Sequence, residues 1–301
     1  MIRYILAGWL MVSALSASAC DACGCSIAQS YNGLMPRLGG HFAGIWWQHQ
    51  RYQTFSEDAF TGFRQGEMAY FNSFEVRTRF QLHPRWQASV ILPYAYQLRE
   101  SGDVTSTLSG LGDAVGMLHY LAYSNGDSLQ RPLRHRLMLG VGAKLPTGAF
   151  QQPGPTEVVN PNFQVGTGSW DALFNLSYTL RYESWGFNVD ATYRYNGESP
   201  NGYRFGNRWS GVVSVFRLER VGQVELMPSI GLFYEKDELD TENDFYRVQT
   251  DGEALLANAG LELFWRQYNL GATYSTPWQQ NLNDGLVEAE PRLAVHLNYF
   301  F

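Results

Sequence analysis

Beyond residue 19 the chain contains no run of about 20 consecutive apolar residues, the length a membrane-spanning helix needs, although 45% of its 301 residues are hydrophobic. A helical membrane protein is excluded. Charge is scarce, at 17% of residues, and the formal net charge of −6 excludes the basic surface that a nucleic-acid partner requires. Cysteine occurs three times, at Cys20, Cys23 and Cys25, so no disulfide can staple distant parts of the fold. The chain has neither a G-x-S-x-G elbow nor an H-E-x-x-H pair, and His119, His135 and His296 stand alone at no recognisable spacing. The expectation is a protein that is not an enzyme. What the chain has in excess is aromatic side chain, with 18 Tyr, 18 Phe and 9 Trp beside 30 Gly, a composition of strands and tight turns.

Residues 1–19 have the three parts of a secretory signal peptide. Arg3 supplies the positive start, Ile5 to Leu15 a short apolar stretch, and Ser16-Ala17-Ser18-Ala19 an A-x-A ending. Its removal takes away one positive charge and leaves a formal −7. Cys20 follows the small residues directly, so cleavage after Ala19 competes with a lipoprotein reading in which Cys20 is acylated.

From residue 39 onward, apolar and polar residues alternate with period 2, the mark of strands with two unlike faces. Tyr70, Phe74, Val76, Thr78, Phe80 and Leu82 share one face, with Glu75, Arg77, Arg79 and Gln81 on the other; His83-Pro84-Arg85 turns the chain, and Trp86 to Leu98 resume the pattern. Twelve such segments are predicted, at 40–52, 67–82, 86–99, 112–124, 133–146, 169–183, 186–197, 204–218, 223–235, 253–266, 267–277 and 288–301. Short connections alternate with long ones, which is how periplasmic turns and external loops alternate in an outer-membrane barrel. Trp46, Trp47, Trp86, Trp170, Trp185, Trp209, Trp265 and Trp278 fall at strand ends, where such rings sit at lipid headgroups.

The last segment places Leu293, Val295, Leu297, Tyr299 and the terminal Phe301 on one face, opposite Arg292, His296 and Asn298. Leu297, Tyr299 and Phe301 thereby resemble the assembly signal of bacterial outer-membrane barrels. The expected fold is all-β: a single antiparallel transmembrane barrel of about 12 strands spanning residues 39–301, preceded by a periplasmic segment at 20–38 able to act as a partial plug. A closed sheet is the one way strands can pair every backbone group in lipid. The expected partners are outer-membrane lipid, the barrel-assembly machinery and a small-molecule or ion substrate.

Several fragments then stand in an informative order: Gly110-Leu111-Gly112-Asp113, Lys144-Leu145-Pro146-Thr147-Gly148, Gly166-Thr167-Gly168-Ser169-Trp170-Asp171, Tyr195-Asn196-Gly197 and Tyr203-Arg204-Phe205-Gly206-Asn207. This set, covering about residues 110–301, resembles the outer-membrane transporter family called the MetA-pathway of phenol degradation family. Cys20-Asp21-Ala22-Cys23-Gly24-Cys25-Ser26 with Gly33-Leu34-Met35-Pro36 resembles a subgroup of such exported barrels. The resemblance implies passage of a small molecule across the outer membrane, without naming the cargo.

Eight charged residues are expected to line the lumen: Glu75, Arg77, Arg79, Lys144, Asp171, Arg181, Asp190 and Arg194. They are either a solvated, ion-paired interior or a selectivity field whose arginines attract anions. Cys20, Cys23 and Cys25 offer thiolates that favour copper or zinc, so a metal-binding or metal-delivery barrel is the alternative function; a local disulfide competes with it. Copper or zinc is the one candidate cofactor, and no other is assigned. His41 and His49, an even number of positions apart, could add imidazole ligands. Glu235, Asp237, Glu238, Asp240, Glu242 and Asp244 read as external-loop acids, solvated or holding a divalent cation.

Overall fold

The computed structural model describes residues 40–57, 64–102, 104–125, 132–151 and 161–301. Twelve strands follow one another in antiparallel order. They are β1 (Phe42–Glu57), β2 (Arg64–His83), β3 (Trp86–Ser101), β4 in two pieces (Val104–Leu111 and Ala114–Ser124), β5 (Leu133–Leu145) and β6 (Asp171–Tyr182). The second half comprises β7 (Trp185–Tyr195), β8 (Arg208–Arg217 continued by Glu219–Val221), β9 (Val224–Asp237), β10 (Gly252–Trp265), β11 (Tyr268–Leu282) and β12 (Val287–Ala289 and Arg292–Phe300). The sheet closes because β1 pairs with β12 along eight residues, from Phe42 opposite Phe300 to His49 opposite Leu293. Closure removes the sheet edges, as lipid demands.

Period-2 alternation becomes an inside and an outside. On β2 the odd residues Phe71, Ser73, Glu75 and Arg77 are buried, while Phe74 and Val76 between them are exposed. Ile45, Leu92, Val141, Phe174, Val213 and Ile230 are similarly exposed on the outer wall, the reverse of a soluble protein and the pattern of a lipid-facing one. Outward aromatic rings gather toward both strand ends. Trp86, Tyr182, Trp185, Trp265, Tyr268 and Tyr299 lie at the end with short turns, and Trp170, Tyr195, Trp209, Tyr234 and Trp278 toward the loops. Trp46 departs from the expected belt: it occupies an inward position, is 2% exposed, and its ring stacks on His296 with centroids 3.8 Å apart.

Strands reach further toward the loops than the alternation predicts, because β-structure continues above the apolar band. The stretch 100–111, read as a loop, is largely strand: Tyr94 of β3 pairs with Leu111 and Ile91 with Val115, so β4 runs on through Gly112-Asp113. That junction also switches parity, since Gly110 and Asp113 are the flanking inward positions. On the loop side a small sheet of Tyr203–Arg204, Thr241–Glu242 and Phe245–Tyr246 forms its own ladder.

Inside, bulk on one strand is matched by glycine on the next. A Cβ on Gly186 would lie 2.0 Å from the Phe216 ring, so only glycine admits that ring against the β7 backbone. Phe216, Leu218, Met227 and Phe264 form an apolar cluster toward the short turns. A larger cluster lies toward the loops, where Tyr52, Phe71, Phe233, Leu256, Leu282 and Val287 pack around Val165 and Phe163. Val165 and Phe163 belong to the 146–170 connection, whose described end therefore turns into the barrel.

Candidate functional site in the barrel lumen

Charged and polar groups inside the barrel form four groups. The first joins fragments far apart in sequence. The Asp113 carboxylate accepts the backbone N–H of Gly148 (2.9 Å) and of Thr167 (2.9 Å), and the Thr167 hydroxyl (2.8 Å). Lys144 Nζ lies 3.3 Å from Asp113 and 2.6 Å from Asp171, and Asp171 also accepts the Ser169 hydroxyl (2.9 Å) and the Gly197 N–H (3.1 Å). Gly148 and Gly166 touch so closely that a Cβ on Gly166 would lie 2.5 Å from Gly148 carbon. Four glycine-rich fragments thus meet in one knot at the loop end of β4 to β7. It anchors the inward segment 161–167, where Gln97 Nε2 donates to the Gln164 carbonyl (2.9 Å) and Phe163 meets Phe71 edge-on.

A second group lies on β8, β9 and β12. Glu235 receives Arg208 (2.5 Å) and Arg292 (3.1 Å); Arg208 also reaches Asp237 (3.4 Å), and Arg292 donates to the Tyr52 hydroxyl (3.1 Å). Glu235 and Asp237 therefore belong to the wall, correcting their reading as loop acids: β9 extends to Asp237 and turns Glu235 inward, 2% exposed. Two guanidiniums around one carboxylate offset much of its desolvation.

The third group crosses the β12/β1 seam. Arg77 lies over the Trp46 ring at 4.1 Å and pairs with Glu75 at 2.6 Å. Trp46 donates its indole N–H to Asn298 (3.0 Å), Asn298 donates to Asn269 (2.9 Å), and Asn269 donates to Glu262 (2.7 Å), which also faces His296 Nε2 at 3.0 Å. The fourth group stands on β2 and β4 to β7. Asp190 accepts from Asn175 (3.0 Å), and Arg79, Arg134, Arg136 and Arg181 hold inward positions toward the short turns. Arg194 stands opposite Arg208 in the β7/β8 ladder.

The structure thus places Glu75 with Arg77, Lys144 with Asp171, Asp190 with Asn175, and Arg79, Arg181 and Arg194 at further positions along the inner wall. Sequence reasoning missed Asp113, Thr167, Glu262 and Arg208. For Asp113 the signal is the break in alternation at Gly112; for the others none stands out. His49 faces outward and bonds Asn72 (2.9 Å), and His41 stacks on Phe301 at 5.6 Å, so neither joins a lumen ligand set. Among the described residues no group of three His, Cys, Asp or Glu could hold a metal ion. Cys20, Cys23 and Cys25 lie outside the described residues. Leu297, Tyr299 and Phe301 face outward, 51%, 43% and 60% exposed, on the strand that closes the barrel.

Fold and surface define a transmembrane β-barrel of the bacterial outer-membrane type, with twelve strands and a polar, charged interior. No family model and no curated protein matches the chain. Among solved structures it is similar to an outer membrane channel from Pseudomonas putida F1, at 14% identity and a TM-score of 0.65, covering 87% of this chain and 96% of that one. It is also similar to the β domain of the Bordetella autotransporter BrkA, at 14% identity and a TM-score of 0.51, covering 87% and 100%. At these identities the likeness is one of fold.

Proposed function

We propose that the protein is a channel for a small solute across the bacterial outer membrane. The observation that carries this reading is the inverted barrel: an apolar outer wall around an interior holding ion pairs such as Lys144 with Asp171 and Glu235 with Arg208. Lipid outside and a hydrated path inside account for both surfaces. The segment 161–167, drawn inward by Asp113 and Gln97, is its constriction. The ordered fragments, four of which converge on one knot, support kinship with the MetA-pathway of phenol degradation family. Residues 20–38 are assigned to the periplasm as an extension or partial plug, and Leu297, Tyr299 and Phe301 to recognition by the assembly machinery.

Three of the histidines make structural contacts: His296 goes to Glu262 and Asn269, His49 to Asn72 and His135 to Tyr178. Liposome swelling tests the reading: vesicles containing the purified barrel should swell in isotonic arabinose faster than empty ones. Equal rates would overturn it.

A further inference from the structure

Residues opposite each other on adjacent strands share a face, so the pairing registers sort the inner wall into rows that cross from strand to strand. Two rows midway along β8 to β12 are free of charge. One consists of Ser214, Gly231, Asn258 and Ser275 and ends on Arg292. The next, toward the short turns, consists of Ser229, Gly260, Thr273, Ala294 and, on β1, Gln48. Hydroxyls and amides supply the polar groups here, in a lumen otherwise rich in ion pairs.

Glycine keeps these rows low. A Cβ on Gly231 would lie 2.8 Å from Ser214 Cβ, and one on Gly260 2.7 Å from Ser229 Oγ, so both serines lie over bare backbone. Against the rows is a cavity of about 60 Å3, lined in part by Gln48, Gln50, Asn258, Thr273, Ser275 and Phe233. A water needs about 10–15 Å3, so the cavity has room for about four to six water-sized groups. Phe233 packs in the same apolar cluster as Val165, which puts the cavity next to the inward segment 161–167.

Hydrogen-bonding capacity is left over on this wall. Asn258 Oδ1, at the cavity, and Ser214 Oγ, in the same row and 4% exposed, are buried without a hydrogen-bond partner among the described residues. Such acceptors are costly unless a ligand or water supplies the donor. Gln50 takes the Tyr52 hydroxyl on its amide oxygen (3.1 Å), which leaves the amide N–H2 to donate. The charges bordering the cavity are matched, Arg292 with Glu235 and Arg77 with Glu75. An ion therefore meets neutral dipoles rather than a counter-charge, whereas a hydroxyl, which both donates and accepts, matches them. An apolar molecule would strand the same groups.

We propose that this cavity is a binding station for a small neutral polyol, which exchanges its water hydrogen bonds for those of Gln50, Asn258, Thr273 and Ser275 and rests its C–H face toward Phe233. The proposal deepens the channel reading and rests on it: the lumen admits the solute, and the uncharged rows set its class.

Glycerol is the probe, and the potassium chloride current through the full chain in planar bilayers, divided by the bulk conductivity of each solution, reads occupancy. Glycerol should lower that ratio saturably in the wild type. Asn258→Leu combined with Ser275→Val should raise the half-blocking concentration about tenfold, the factor that two lost hydrogen bonds imply. Thiol labelling is the second readout. In a chain with Cys20, Cys23 and Cys25 changed to Ser, glycerol should slow the reaction of Ser275→Cys with methyl methanethiosulfonate and leave Gln81→Cys, toward the short turns, at its own rate. A wild-type ratio indifferent to glycerol, or equal half-block in the double variant, overturns the station. If the double variant fails to assemble, the labelling decides, and a Ser275→Cys rate unchanged by glycerol overturns it. Absence of any current from folded, inserted wild type overturns the channel reading instead.

Discussion

Lys144 and Asp171 face each other at 2.6 Å across the β5/β6 ladder, inside the barrel, with both side chains almost fully buried. Asp113 completes the set from β4, and through it the inward segment 161–167 is tied to the wall. The knot therefore couples the stability of the loop end to the width of the lumen.

Asp113→Ala removes the acceptor for two backbone N–H groups and the Thr167 hydroxyl, and leaves Lys144 with one carboxylate. Breaking such a buried set costs about 3–5 kcal/mol. The barrel should unfold at lower urea than the wild type, while arabinose swelling speeds up as the segment leaves the lumen. A variant with unchanged flux would show that the segment does not limit the path.

Glu235→Gln leaves Arg208 and Arg292 without the charge that both share. The lumen gains positive field, and the reversal potential in a KCl gradient should shift toward chloride relative to wild type. No shift would place the solute path away from this wall.

Ile230 on β9 is 69% exposed and Phe245 in the small external sheet is 78% exposed, yet the fold gives them different solvents. Ile230→Lys should cost about 2–4 kcal/mol, because it puts a charge against hydrocarbon. Phe245→Lys should be near neutral. Urea unfolding of both in lipid bilayers checks this, and equal effects would contradict the placement of the apolar belt.

Changing Cys20, Cys23 and Cys25 together to Ser tests the copper or zinc alternative. Under the channel reading, elemental analysis should find the same metal content in wild type and variant, and arabinose flux should be the same in both. Metal present in the wild type alone would favour the alternative.

The strand count and the two faces were legible because period 2 survives any register: Glu75, Arg77, Lys144 and Asp171 stand inward where alternation puts them. Other features depend on tertiary context. Trp46 reads as an interfacial ring by its place near a strand end, but parity turns it onto His296. The first piece of β4 was hidden because the Gly112-Asp113 junction shifts the parity. Glu235 and Asp237 looked like loop acids because β9 outlasts its apolar alternation, with Arg208 and Arg292 waiting on strands distant in sequence. The inward course of 161–167 carries no periodicity at all, and the glycine-rich fragments showed their order but not that they meet.

The central claim is that this barrel conducts solute through the membrane. Planar lipid bilayers receiving purified protein that migrates differently on gels before and after boiling, the mark of a folded barrel, test it most directly. The account predicts discrete conductance steps at constant voltage, larger in Asp113→Ala than in the wild type. Folded protein that inserts yet leaves the membrane without steps would contradict it.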